Sequence, residues 1–490
     1  MATTLERIRD LVGARGWLED PAAMAPYLSE TRGLFQSQAR AVVSPASTAE
    51  VAGVLRLCNE SRIGVVPQGG HTGRCGGAMP DNSGRQLILS LARLNRIRTL
   101  DPLDYTITVE AGCILADIQA AATRAGRLFP LSLGAEGSCQ IGGNLATNAG
   151  GINVLRYGNA RELTLGLEVA LADGAIWEGL TGLRKNNTGY DLKDLFIGAE
   201  GTLGVITAAV LKLFPLPRDV QTALVALRDL EACTELLAQA RAASNDALSS
   251  FELMPRLGLQ FALDHIPGCR DPFERGYDWY VLLVFSGARA DGGMRAALEN
   301  LLAASWQAGL IQDAVLAASE AQDRELWRLR EGLVEGQRFE GGSIKHDISV
   351  PVSRVPEFIR VAGERVRQEL PGVRVCAFGH VGDGNIHFNL SQPPAMEQER
   401  FLGLWRHCND IVHTIAVEMH GSFSAEHGIG RLKTAEMARY KSATELGLMR
   451  AIKTVLDPNG IMNPGKVLPD QGLYGVLEGS DGGSVVMAPR

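Results

Sequence analysis

Short apolar runs alternate with helix-spaced patterns along the first 218 residues. AVVSP (41–45) reads as a strand, TAEVAGVLRLCNES (48–61) as an amphipathic helix, and IGVVPQGG (63–70) as a second strand entering a glycine loop. QLILSL, YTITVEAG, GLEVALADG and GVITAAVLKLFPLP predict further strands, with a helix at ILADIQAAATRAG, so the first half reads as an α/β unit ending near Arg218. From Asp219 to about Phe378 the strands QTALVAL, YVLLVFSG and IKHDISVPV are separated by helices such as DLEACTELLAQARAA and MRAALENLLAASWQAG. This predicts a second sheet-and-helix domain and an α+β class for the whole. A last helix, TELGLMRAIKTVLDP, leads through GIMNPGKVLP to a Gly/Ser-rich tail, and residues 471–490 are expected to be disordered.

At 490 residues the chain is long enough for two or three domains and a large buried cofactor. Its net charge of −7 gives no electrostatic reason to bind nucleic acid. The eight cysteines form no CxxC pair, which excludes a thiolate zinc site and suggests reduced thiols. No stretch approaches the roughly 20 apolar residues of a membrane span, and MATTLERIRDLVG lacks the apolar core of a secretory signal. A soluble, cytoplasmic protein is expected.

Glycine is concentrated in three loops. PQGGHTGRCGG (67–77) follows the strand IGVV; GAEGSCQIGGN (134–144) runs into ATNAGG (146–151); GAEGTLG spans 198–204. Glycines permit close backbone approach to a ligand, and consecutive free N–H groups form a nest for an anion such as a pyrophosphate. Glycine spacing in the first loop and in GDGN (382–385) does not fit the Rossmann fingerprint, which disfavours a nicotinamide site.

In GHVGDGNIHFN, His380 and His387 stand seven residues apart across a glycine turn that leads into an alternating strand, and SAEHGIG sets Glu426 beside His427. Two imidazoles and one carboxylate form a familiar catalytic zinc set with an open coordination position. Nitrogen and oxygen ligands do not fix the metal uniquely; zinc is the first choice and manganese the second.

The runs PQGGHTGRCGG, PLSLGAEGSCQIGGNLATNAGG, LRYGN, KNNTGYDLKDLFIGAEGTLGVIT, GHVGDGNIHFN, SAEHGIG and DPNGIMNPGK resemble, in order and spacing, the FAD-binding type-4 dehydrogenases of the vanillyl-alcohol oxidase superfamily. The likeness extends from about Leu34 to Leu468 and is strongest to the branch that oxidises D-2-hydroxyglutarate. It implies a two-subdomain FAD-binding fold of the PCMH type over residues 1–218, completed by residues 436–470, with a substrate- and metal-binding cap over residues 219–435.

The resemblance also assigns residues. Pro67, Gln68, Gly69, Gly70, His71, Thr72, Gly73 and Gly77 would hold the FAD pyrophosphate. Leu133, Gly134, Gly137, Ser138, Gly142, Gly143, Thr147, Asn148, Gly150 and Gly151, with Glu200, Gly201, Gly204 and Ile206, would line its adenosine and ribityl portions, and Asn463 would return to the flavin. Many relatives carry Asn where this chain has His71; a histidine there allows a covalent flavin link, but the resemblance implies a non-covalent one, with His71 as a loop donor. His380, His387 and Glu426 become metal ligands and His427 the general base. His265, His346, His407, His413 and His420 are left as ordinary surface or core residues.

This set suits oxidation of a D-2-hydroxy acid. A Lewis-acidic metal lowers the pKa of the substrate hydroxyl, a histidine of intrinsic pKa about 6.5 takes its proton, and flavin N5 receives the hydride. By the same resemblance Arg330 and Lys345 meet a distal carboxylate, with Asn389, two residues beyond His387 on one strand face, as a further substrate contact. Two cations favour a dicarboxylic substrate. One departure stands: Val334 occupies a position where the hydroxyglutarate pattern has threonine, which leaves D-lactate, D-malate and glycolate as rivals. A non-redox flavoenzyme of the same fold is less favoured. Electron-transfer flavoprotein or a quinone is the expected acceptor, and a homodimer is compatible with the sequence.

Overall fold

The computed structural model describes residues 2–30, 33–35 and 37–469; the tail expected to be disordered lies outside them. Its N-terminal part holds two sheets. In the four-stranded sheet, Val42–Val43, Leu87–Ser90 and Val65–Gln68 run parallel, with Trp17–Leu18 antiparallel at the edge. Helix Thr48–Ser61 covers it, for reasons visible in sequence. The Ser47 side chain caps it by accepting from the Glu50 N–H, Val51, Val54, Leu55 and Cys58 form its buried stripe, and Arg62 ends it in the left-handed region at φ 53°. The second sheet, of five antiparallel strands, carries Thr106–Glu110, Val205–Lys212 and Thr164–Ala170 at its centre.

From Asp219 the chain builds a seven-stranded antiparallel sheet in the order Ile311–Leu316, Asp219–Leu227, Trp279–Gly287, Leu248–Pro255, Arg374–His380, Asn385–Ser391, Ser343–Ser349. Alternation divides its side chains between two faces. Val225, Leu253, Ala377 and Phe388 enter one core with helices Ala232–Ser244, Gly293–Gln307, Val355–Glu369 and Trp405–Glu418. Leu224, Met254, Cys376 and Phe378 face the other way, against helices Arg256–His265 and Glu320–Gly336. Register then sets polar rows on that second face: Cys376, Asn389 and Lys345 are paired across three strands, as are Phe378, His387 and Asp347, while Glu252 pairs with His380.

The chain's last described segment returns to the first domain. Met462 bridges to Val65, and the Asn463 N–H donates to the Val65 carbonyl at 2.8 Å. Asn463 Nδ2 donates to the carbonyls of Gly77 and Glu200. The overall class is α+β, as expected, and no described helix is long and apolar enough to cross a membrane.

Candidate active site

The three glycine loops converge on one cleft. Pro67, Gln68, Gly69, Gly70, His71, Thr72, Gly73, Gly77, Gly142, Gly143, Thr147, Glu200, Gly201, Gly204 and Ile206 line it. Leu133, Gly134, Gly137, Ser138, Asn148, Gly150, Gly151 and Asn463 do not. Gly70 is needed for close packing: a Cβ there would fall 2.1 Å from the Ser138 carbonyl oxygen.

Gln140 and Asn144, within the second glycine loop, also line the cleft. Gln140 Oε1 and Asn144 Oδ1 are buried without a hydrogen-bond partner. Buried acceptors are rarely left so, which fits a cleft built around a polar dinucleotide. His71 has φ 56° and its Nε2 lies 2.8 Å from the Ser29 carbonyl, so the ring is engaged with protein backbone.

The hairpin of Arg374–His380 and Asn385–Ser391 explains how two histidines seven residues apart meet. Its turn includes Gly384 at φ 83°, and a side chain there would strike the Val350 carbonyl. The His380 and His387 ring centroids are 5.6 Å apart. The loop bearing Glu426 and His427 is tied from both sides. Ser422 bridges to Ser349, the buried Glu200 carboxylate accepts from the N–H groups of Ile429 and Gly430 at 2.7 and 2.8 Å, and Asp347 accepts from those of Glu426 and His427 at 3.0 and 2.8 Å.

These supports bring Asp347, His387, Glu426 and His427 together, with one ligand-type atom from each within 4.8 Å of the others. His387 Nε2 and His427 Nε2 lie 3.6 and 3.8 Å from Glu426 Oε1, and His427 Nδ1 lies 3.4 Å from Asp347 Oδ2. His380, expected in the metal set, borders this group, and its Nδ1 donates to Glu252 Oε1 at 2.6 Å. Glu252, 1 % exposed, also accepts from Arg330 Nε through Oε2 at 2.9 Å, and the same oxygen forms an ion pair with Nη2 at 2.8 Å. Arg330 stacks over Phe378. Lys345 and Asn389 stand in one row of the same face, and Asn389 Nδ2 donates to Gln337.

Glu252 and Asp347 are functional candidates that sequence reading passed over. Asp347 was accessible to it: two residues from Lys345 on a strand, it must share that face.

Burial dominates the electrostatics. It lifts the Glu426 carboxyl to about 7, with the Asp347 charge adding to the rise. Burial pushes Asp383 up to about 6, and it drives His387 well below the usual imidazole range. For His380 burial acts downward, but the adjacent Glu252 charge and hydrogen bond prevail and raise it to about 9. Burial likewise opposes ionisation of Asp347, yet His427, Lys433 and His387 outweigh it and hold the carboxyl far below its normal value. Imidazole and carboxylate donors within one small volume suit a divalent cation of the zinc or manganese type.

Comparison with known proteins agrees with this geometry. The FAD-linked oxidase C-terminal domain matches residues 216–467, and an FAD-binding domain matches residues 39–179. A rice (Oryza sativa subsp. indica) protein named "Probable D-2-hydroxyglutarate dehydrogenase, mitochondrial" is 38 % identical over 94 % of this chain and 81 % of its own length. One from Xanthomonas citri pv. viticola, named D-2-hydroxyglutarate dehydrogenase, is 38 % identical over 91 % of this chain and 93 % of its own. Among solved structures, p-cresol methylhydroxylase superposes with a TM-score of 0.76 at 18 % identity, covering 96 % of this chain and 97 % of that one.

The chain belongs to the FAD-linked oxidases and shares the fold of p-cresol methylhydroxylase. It is an FAD-dependent dehydrogenase, and its relatives named D-2-hydroxyglutarate dehydrogenase align with it over most of its length.

The expectation of a cytoplasmic location is overturned. Relatives from rice, Arabidopsis thaliana and Bos taurus are named mitochondrial. Free cysteines, the basis of the expectation, mark a reducing environment and do not distinguish one such compartment from another.

Proposed function

We propose that this protein oxidises D-2-hydroxyglutarate to 2-oxoglutarate using FAD and a divalent metal ion, zinc first and manganese second. One observation carries the reading: His427 lines the glycine-loop cleft and also belongs to the cluster with Asp347, His387 and Glu426. A proton acceptor thus stands where a flavin site and a metal-type site adjoin.

His380, His387 and Glu426 would hold the metal, and the glycine loops would hold the flavin without a covalent link. When bound, FAD offers a hydride acceptor at N5, and the metal offers Lewis acidity that lowers the hydroxyl pKa. His427 takes the hydroxyl proton, while Asp347, fixed by two backbone N–H groups, faces its Nδ1 and keeps the ring directed at the site. Lys345 and Arg330, with Asn389 beside Lys345 in the row next to that of His387 and Asp347, receive the distal carboxylate and set C2 in position.

Residues 1–218 and 436–470 form the flavin domain in this reading, and residues 219–435 the cap. Electrons leave to an electron-transfer flavoprotein or a quinone. A shorter or less polar acid, D-malate or D-lactate, is the second reading, favoured by Val334, which packs against the same core as Phe378 and offers no hydroxyl.

A screen of D-2-hydroxy acids with an artificial dye acceptor tests the proposal. D-2-Hydroxyglutarate should give the highest kcat/KM; a clear preference for D-lactate or glycolate would overturn the substrate assignment.

A further inference from the structure

We infer that Glu252 is a positioning residue that fixes the tautomer of His380 and, through the same carboxylate, the guanidinium of Arg330. The inference rests on the metal-binding reading above. Glu252 lies in the fully buried strand Leu248–Pro255, in register with His380, and both of its oxygens are committed. Oε1 accepts from His380 Nδ1, and Oε2 accepts from Arg330 Nε and pairs ionically with its Nη2.

Both partners are donors. With Nδ1 bearing the proton, His380 keeps its lone pair on Nε2, the one ring nitrogen left to ligate a metal, and its ring centroid lies 5.6 Å from that of His387. An outer carboxylate of this kind orients a ligating histidine and raises its basicity. One carboxylate therefore links the ligand of the metal to a cation of the substrate pocket.

Replacement by glutamine discriminates this role from simple packing. A glutamine has the same shape but only one acceptor oxygen. Turning that oxygen to Arg330, where the Nε donor and the permanent guanidinium charge lie, sets the NH2 group against His380 Nδ1. The imidazole must then accept at Nδ1 and carry its proton on Nε2, which blocks the metal.

Glu252→Gln should thus weaken metal binding by about 10–100-fold, the usual range for removing such a support, with FAD content unchanged. Adding Arg330→Met frees the glutamine to turn its oxygen to His380, which restores the metal-binding tautomer. The double variant should recover affinity to within a few fold of the parent despite losing a second native contact. A residue needed only for packing would give an additive loss.

The measurement is calorimetric titration of the metal-stripped flavoprotein with Zn2+ and with Mn2+, so it does not depend on activity. If the parent protein binds neither ion, the metal-dependent reading itself fails. If the parent binds and Glu252→Gln binds equally well, or the double variant binds no better than Glu252→Gln, the role of Glu252 is overturned. Should Glu252→Gln not fold, the double variant decides alone: affinity within a few fold of the parent supports the inference, and a tenfold loss overturns it.

Discussion

Asp347 grips His427 twice, accepting its backbone N–H at 2.8 Å and standing 3.4 Å from its ring Nδ1. If His427 is the proton acceptor, His427→Ala should lower kcat by roughly 10²–10⁴, as removal of a general base does, with FAD and metal content unchanged. Asp347→Asn should lower kcat less, by loosening a ring that is still present. Near-normal turnover in His427→Ala, measured by dye reduction, would place the proton elsewhere.

Lys345 distinguishes the candidate substrates. Loss of one partner of a buried charge pair costs on the order of 2–5 kcal/mol, and each 1.4 kcal/mol is about tenfold. Lys345→Ala should therefore depress kcat/KM for D-2-hydroxyglutarate by tens to thousands of fold, while any D-lactate activity changes only a few fold. Equal losses on both acids would mean that Lys345 serves the flavin, the metal or the fold.

Gly70 tests the flavin cleft. With a Cβ 2.1 Å from the Ser138 carbonyl, Gly70→Ala must push the first two glycine loops apart. Protein purified from this variant should contain less FAD per chain than the parent and melt lower. Full flavin content would show that these loops do not set the cofactor's place.

How the sequence could and could not be read follows from the same physics. Strands with a polar face or a flanking glycine loop, such as Val65–Gln68 and Thr106–Glu110, were recognisable, as were the capped helix Thr48–Ser61 and the convergence of His387, Glu426 and His427. Strand Leu248–Pro255 was missed because it is buried throughout and so lacks alternation, while Ser249, Ser250 and Glu252 break the continuous apolar run by which a buried strand such as Trp279–Gly287 is recognised. With it went Glu252. A lone acid amid FELM signals a buried partner only when the strand is known, since charged residues are almost never fully buried unpaired. Arg330 looked like a substrate cation and nothing else; its commitment to Glu252 is tertiary information that joins residues 78 apart.

His346 and His413, expected to be ordinary, share a buried pocket, with ring centroids 5.7 Å apart and His413 Nδ1 unpartnered. Burial, then the neighbouring His346 and Lys433, depress His413 to about 2. Its folded pKa lies below the unfolded value of about 6.5, so the unfolded chain binds the extra proton and stability falls as pH drops through that window. At pH 5 this group alone should cost on the order of 2 kcal/mol relative to neutrality. Denaturant midpoints at pH 7 and pH 5 check this: His413→Phe should flatten the difference. An unchanged difference would assign the acid sensitivity to other groups.

The central claim is that one site joins flavin, metal and hydroxy acid, and anaerobic mixing of the purified flavoprotein with D-2-hydroxyglutarate tests it most directly. The visible flavin absorbance should bleach in a single turnover, the bleaching should slow strongly after chelation with FAD still bound, and added Zn2+ or Mn2+ should restore it. A flavin that stays oxidised with D-2-hydroxyglutarate, or that bleaches equally fast in protein shown by elemental analysis to be free of metal, would contradict the account.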